Sequence, residues 1–361
     1  MKVGIVSTWV NRGQSAVARD IRSIFEEADH ETHILARPMN PKMRMEKRID
    51  LRGDADVPNL TVASNWEPEA DEYVAWARDA GIDLLFCDMN LQFDCIAAVR
   101  DTGVRTIGRF VWERFAAGHV KRVNRSYDAV YSLTRAEQAR YRELGLESPY
   151  VPWGIHPRWF DVQPERPTDR IDFLFHGGMQ GRRKPIEATV AAFKRVDAPH
   201  IRLVLKNQGS REMSERPMIE DDPRIVEISA DLDPDEYAAL LGSSHVCLAP
   251  ARWEGLGVHL YEALALGMPT ISNDIPPIDE VVEHGVSGLL CRSVPIGERP
   301  NGLPIFDPDI DDLASCIEEL ADPGRLAELT ASTFAHRASR GWASTREGYL
   351  GLATSVLGIK A

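Results

Sequence analysis

Short apolar, β-branched runs alternate with helical patterns along nearly the whole chain, and that alternation leaves few folds open. The first series begins with the strand KVGIVST, a helix over Ser15–Glu27 and the strand ETHILAR. The helical stretch EPEADEYVAWARDAG, closed by Gly81, precedes the strand IDLLFCD, and CIAAVRDTG leads into VRTIGRF. The strand YDAVYSL then precedes the helix TRAEQARYRELG, where Thr134 with Glu137 three residues on predicts a capping box. Residues 148–170 break the rhythm with five prolines and no period, which predicts an interdomain linker. The alternation then restarts: IDFLFHGG, a helix over Pro185–Arg195, IRLVLKN, RIVEIS, the helix DPDEYAALLGS, HVCLAPA, VHLYEALAL, PTISND, a helix over PIDEVVEHG, SGLLC, and helices over 311–321 and 323–340. Mostly apolar strands joined by helices form parallel sheets covered on both faces. Two successive series therefore predict two Rossmann-like α/β domains, 1–160 and 161–341. In open parallel sheets ligands bind beyond the carboxyl ends of the strands. Two such domains facing across a deep cleft would place function in the loops that follow the strands.

A length of 361 residues fits two domains of this kind. There is no run of 18 apolar residues, and MKVGIVSTWVNRG reads as a first strand rather than a signal peptide. The five cysteines show no CxxC spacing and suit buried, reduced thiols, so the expectation is a cytoplasmic protein. A formal net charge of −13 argues against nonspecific nucleic-acid binding. Against that acidic background residues 37–52 carry six Arg/Lys, Arg44 and Lys47 among them. This segment is either a solvated loop or a landing site for an anionic acceptor or lipid headgroup, the latter implying peripheral membrane contact.

Three strand-to-helix turns carry the chemistry. In RWEGLGVHLYEALALGMPTISND, Gly255-Leu256-Gly257 joins a strand to a helix whose free N–H groups suit a phosphate. Glu254 precedes that helix, and Glu262 lies roughly 7 Å along its axis from Gly257, about a diphosphate-to-ribose distance. The bland alternative makes Glu254 a helix-start charge and Glu262 a solvent-facing residue. In FHGGMQGRRKPIEATVAAF, the glycines Gly177, Gly178 and Gly181 predict a flexible turn, and Arg182, Arg183 and Lys184 stand before a helix start, where cations oppose the macrodipole and an anion would neutralise them. The spacing is not that of a P-loop. In STWVNRGQSAVARDI, Gly13 opens a helix without a GxGxxG fingerprint. DPDIDDL at 307–313 lacks calcium-loop spacing and suits helix capping. His176, His259 and His284 lack metal-ligand spacing and read as core or surface residues, so no metal site is expected.

Taken together, these segments resemble the retaining family 4 glycosyltransferases (glycosyl transferases group 1) of the GT-B fold, over nearly the whole chain. The most specific element is E-x7-E, Glu254 to Glu262, within PARWEGLGVHLYEALALGMPTISNDIPPIDEVVEHGVSGLL. GRRKPIEATVAAF looks like the family's basic diphosphate-binding turn, with Lys184 at the lysine position. Two departures stand out. Gly178-Met179 replaces an early Gly-Arg, so Arg182 or Arg183 must supply the second cation; and FVWERF follows VRTIGRF where many members carry a histidine, leaving Glu113 as the candidate for part of that role.

The resemblance implies a metal-independent, retaining transfer of a sugar from a nucleotide-diphosphate sugar to a hydroxyl acceptor, with no cofactor beyond the donor. Lys184 and Glu254 are the catalytic candidates. Gly13, Arg182, Arg183, Lys184, Glu254, Gly255, Leu256, Gly257 and Glu262 are the donor-binding candidates, and Glu113, Arg44 and Lys47 those for the acceptor on the first domain. A helix within 342–361 is expected to cross back to that domain. The alternatives are a sugar-nucleotide epimerase or phosphorylase on the same fold, or a noncatalytic nucleotide-sugar-binding subunit.

Overall fold

Strand β1 (Lys2–Thr8) shows how the chain builds its first sheet: every residue from Val3 to Thr8 is buried, because helices cover both faces. The computed structural model describes residues 1–41, 49–52, 57–178, 182–208 and 222–359. These form two compact units, Met1–Trp153 with Ala343–Ala361, and Gly154–Trp342, so the division falls within the proline-rich stretch.

The first unit continues with α1 (Gly13–Glu26), β2 (Glu31–Arg37), β3 (Leu60–Val62), α2 (Ala70–Ala80), β4 (Leu84–Asp88), α3 (Phe93–Asp101), β5 (Arg105–Arg109), α4 (Val120–Ser126), β6 (Ala129–Val130) and α5 (Arg135–Glu143). Its strands lie in the order β3-β2-β1-β4-β5-β6, all parallel. The second unit holds β7 (Ile171–Gly178), α6 (Ile186–Arg195), β8 (Ile201–Asn207), β9 (Ile225–Ser229), α7 (Pro234–Gly242), β10 (Val246–Leu248), α8 (Val258–Ala265), β11 (Thr270–Asn273) and β12 (Gly288–Cys291). A ribbon of β13 (Ser293–Glu298) and β14 (Pro304–Pro308) follows, then α9 (Ile310–Ala321) and α10 (Pro323–His336). The main sheet runs β12-β11-β10-β7-β8-β9, again parallel and with the same topology as the first. In both sheets the order reverses beside the first strand, between β1 and β4 and between β7 and β10. Doubly wound sheets take their ligands at that switch point.

Each sheet has its own apolar core. In the second unit Phe173, Phe175, Phe193, Leu203, Leu205 and Ile317 are almost wholly enclosed, each side chain contributing about 1.5–3 kcal/mol of burial. In the first unit Phe93, Phe110, Phe115 and Tyr141 pack ring against ring. The last helix, α11 (Trp342–Leu357), adds Tyr349 to this unit against Phe86 and Tyr131, at 6.1 and 5.3 Å between ring centroids. Thr345 Oγ1 donates to the Pro152 carbonyl at 2.8 Å.

Four local readings need correction. PIDEVVEHG makes only one 3-10 turn, Ile278–Glu280. Ser287 Oγ accepts from Glu283 N, a backbone donor that a longer helix would use. The Thr134 box is half formed: Thr134 Oγ1 accepts from Glu137 N, while the Glu137 carboxylate accepts from Arg109 and Leu133 N. Gly177 and Gly178 finish β7 rather than forming a turn, and a side chain at Gly177 would collide with Asn207. The β13–β14 ribbon was not foreseen, although Asn301-Gly302 is a strong hairpin signal and Gly302 has φ 78°.

Candidate active site

The loops after β7 and β10 meet beside the second sheet's switch point, and the basic turn and the first glutamate arrive there from neighbouring parallel strands. Arg183 Nη1 donates to Glu254 Oε1 at 2.6 Å and Lys184 Nζ to Glu254 Oε2 at 3.1 Å. Gly255 N–H also donates to Oε1, at 2.9 Å. Lys184 and Glu254 are 2% and 3% exposed, whereas the Arg183 side chain is about one quarter exposed, at 24%. Burial pushes the Glu254 carboxyl up, but Arg183, then Lys184, outweigh it and hold the group well below the ordinary carboxylate range. Burial lowers Lys184 from its ordinary value, and the Glu254 charge opposes that shift. A triad of two cations and one anion carries a surplus positive charge, with Arg183 as its accessible member.

The strand-to-helix turn is built for close approach of backbone. Gly257 is the cap residue of α8 with φ 71°. A Cβ there would stand 2.7 Å from Leu260 Cδ1, so the turn requires glycine in both conformation and space. Gly255 and Leu256 are buried in this turn. The loop leading into it is pinned by Asn273, which is fully buried: Ala251 N donates to Asn273 Oδ1 at 2.9 Å and Asn273 Nδ2 to Ala251 O at 3.1 Å.

Glu262, one helical face further along α8, is 7% exposed and accepts from Tyr237 Oη at 2.7 Å. The solvent-facing alternative for Glu262 therefore fails, as does a helix-start charge without side-chain partners for Glu254. Tyr237 comes from α7, 25 residues earlier, and nothing in its local sequence marks it. Two histidines also escaped notice as neighbours of this site. His176 lies near the end of β7 and His259 in the first turn of α8, both half-buried; their rings lie 5.1 Å apart, and His176 lies 6.1 Å from the Tyr237 ring. Burial, then Lys184, lowers both imidazoles, His176 to about 3, so both are neutral near pH 7.

The remaining candidates are dispersed. Arg182 is exposed in the basic turn. Gly13 lies in the first unit, exposed at the start of α1. Glu113 is half-buried in a 3-10 turn, Trp112–Arg114, after β5. Arg44 and Lys47 lie outside the described residues. Arg109, which ends β5, is 2% exposed and paired with Asp88 Oδ1 at 3.2 Å and Glu137 Oε2 at 3.0 Å. Two carboxylates from neighbouring elements draw it inward. Among the described residues no group of three or more His, Cys, Asp or Glu is placed to hold a metal ion, and no helix is long and apolar enough to cross a membrane.

Comparison with known proteins places this geometry. Residues 170–322 match the family model for glycosyl transferases group 1. A D-inositol 3-phosphate glycosyltransferase of Rhodococcus erythropolis is 30% identical over 118 residues, 32% of this chain and 24% of its own length. The match thus spans about a quarter of that curated relative. Over the full chain the likeness is one of fold. Sucrose-phosphate synthase from Thermosynechococcus elongatus aligns with a TM-score of 0.74 at 16% identity, covering 99% of both chains. Anabaena HepE in complex with UDP-glucose aligns with a TM-score of 0.74 at 14% identity, covering 98% of this chain and 100% of its own. With two Rossmann-like sheets of matching topology, and the group 1 match lying over the unit that carries the Arg183–Lys184–Glu254 cluster, the chain is a GT-B-fold protein related to the family 4 glycosyltransferases.

Proposed function

We propose that this chain is a metal-independent, retaining glycosyltransferase that moves a sugar from a nucleotide-diphosphate sugar to a hydroxyl acceptor. The observation that carries the reading is the surplus positive charge of Arg183, Lys184 and Glu254, beside the glycine turn that opens α8. Such a site suits a diphosphate. Arg182, Arg183, Lys184 and the amides of Leu256 and Gly257 would meet its oxygens, while the Gly255 amide holds Glu254. Charge grows on the diphosphate as its bond to the anomeric carbon breaks, and fixed donors aimed at that charge lower the barrier. Glu262, held by Tyr237, would accept from the ribose hydroxyls. Glu254, held by its cations, would accept from a sugar hydroxyl. Retention follows if the acceptor oxygen attacks the face the diphosphate leaves, with a donor phosphate oxygen taking its proton. The second unit is then the donor domain and the first the acceptor domain. Glu113, with Arg44 and Lys47, would position an acceptor bearing phosphate or carboxylate.

A thermal-shift screen of nucleotide sugars tests the donor, since a ligand that binds only the native state raises apparent stability. Donor turnover with and without hydroxyl acceptors then tests the reaction. Stabilisation by a nucleotide sugar with acceptor-dependent turnover, undiminished by a metal chelator, is the expected result. Turnover that ignores the acceptor would replace the transferase with an epimerase or phosphorylase, and binding without turnover would make the chain a noncatalytic subunit.

A further inference from the structure

The β13–β14 ribbon has almost no core of its own. Val294 and Ile296 are 43% and 49% exposed, and an isolated two-stranded hairpin is marginal in water. Among its anchors are the residues just before Glu254. Arg252 Nε donates to Asp307 Oδ1 at 2.6 Å, Phe306 N donates to the Arg252 carbonyl at 3.0 Å, and the Arg299 guanidinium lies 4.5 Å from the Trp253 ring centroid. Ser293, the first residue of the ribbon, accepts from Asn273 Nδ2 at 3.1 Å, and Asn273 also pins Ala251. Arg252 reaches the other way as well. Its N–H donates to the Arg183 carbonyl at 2.8 Å and its Nη1 to the Arg182 carbonyl at 3.1 Å. One arginine thus holds the backbone of the basic turn while Asp307 holds that arginine.

We propose that Arg252 is a positioning residue for the diphosphate-binding cations and that the ribbon is the strut that anchors it. The inference rests on the reading of Arg183 and Lys184 as diphosphate ligands. Its physical basis is that the Arg183 and Lys184 side chains converge on one carboxylate, while Arg252 adds two hydrogen bonds to the backbone carbonyls of their turn and so fixes where both side chains start. Asp307 fixes the guanidinium in the plane where Nε faces the ribbon and Nη1 faces the turn. The main-chain bond from Arg252 N would survive truncation of the side chain, so the side chain's contribution can be isolated without cutting the loop. No other role is assigned to Arg252: it acts through Arg183 and Lys184.

The test measures, on the full chain, the affinity for UDP, GDP, ADP and inorganic pyrophosphate by calorimetry, in the wild type and in Arg252→Ala, Arg252→Lys, Asp307→Asn, Lys184→Ala and the doubles Arg252→Ala/Asp307→Asn and Arg252→Ala/Lys184→Ala. Ile296→Ser, at the exposed part of the ribbon, is the control and should bind as the wild type does. Arg252→Ala is expected to weaken the preferred diphosphate by about 10-fold, roughly 1.4 kcal/mol. Asp307→Asn should lose less, because the contacts to the turn remain, and Arg252→Lys should recover part of the Ala loss. Both doubles should be non-additive, as expected for groups acting as one unit. A merely structural role would lower melting temperature while leaving the affinity of the folded fraction unchanged, and that result overturns the inference. So does full additivity with Lys184→Ala. If Lys184→Ala weakens binding and Arg252→Ala does not, the strut alone falls; if the wild type binds none of the four probes, the diphosphate reading falls and takes the strut with it.

Discussion

The two units carry buried ion clusters of opposite charge balance, each formed where strands of a parallel sheet end. In the first, Arg109 lies between Asp88 and Glu137, one cation for two carboxylates. In the second, Glu254 lies between Arg183 and Lys184, one carboxylate for two cations. Exposure separates them further. All three side chains of the first cluster are at most 2% exposed, while Arg183 in the second reaches solvent. A sealed cluster with surplus negative charge fixes β4, β5 and α5 to one another. A cluster with surplus positive charge and one accessible arginine has an attraction left over for an anion. The same three-charge motif is thus structural in one unit and suited to a ligand in the other, and charge balance with access makes the difference.

The largest effect should come from breaking the sealed cluster. Arg109→Met leaves two buried carboxylates without their cation and should destabilise the chain by about 3–5 kcal/mol, read from urea unfolding. A cost near that of a surface substitution would show the cluster to be open to water and would erase the contrast. Next, Lys184→Ala should lower kcat by about 10²-fold or more, by analogy with loss of one oxyanion donor, measured on the folded fraction because removing one partner of a buried pair also costs stability. A variant that loses donor affinity but keeps kcat would restrict Lys184 to ground-state binding.

Glu262→Ala should weaken nucleotide-diphosphate binding by about 1.5–3 kcal/mol, the range for a hydrogen bond to a charged group. Unchanged affinity in calorimetry rejects the ribose assignment.

The smallest expected effect sharpens the comparison through pH. The Glu254 carboxyl is held low, so its contribution to stability is present above the ordinary carboxylate pKa of about 4 and is lost on acidification below it. Burial raises Asp88 and Glu137, with Arg109 opposing, so their contribution is present below about pH 4 and is lost as pH rises through their folded values. Glu254→Gln should therefore flatten the loss of stability on the acid side of about pH 4, and Glu137→Gln the loss on the alkaline side. Equal effects of both variants on the same side would mean that the clusters do not differ in sign.

Much of this was legible locally. Apolar strands, the Gly81 and Gly267 helix ends, the Asp233–Glu236 capping box and the Asp309 cap of α9 follow from neighbours a few residues apart. So did the acidic pair around a glycine turn and the basic turn after β7. PIDEVVEHG reads as a helix because periodicity says nothing of side chains that capture backbone donors. The ribbon leaves little trace in the sequence because its strands are short and proline-bearing. Tyr237, His176 and His259 carry no local sign of their site.

By itself the sequence determined that strands and helices alternate twice, because burial on both faces of a strand and on one face of a helix writes a period into neighbouring residues. It also determined that a turn with grouped cations follows β7 and a glycine-bearing turn follows β10, because glycine and grouped cations are local chemistry. Only the tertiary structure decided which charges meet. Arg183 finds Glu254 across 71 positions, Tyr237 finds Glu262 across 25, and Arg109 is drawn to Glu137 rather than to solvent. Those pairings depend on strand order, with β10 returning beside β7 after two intervening strands have been laid on its other side. Strand order is set by the packing of whole cores, and no residue's immediate neighbours record it.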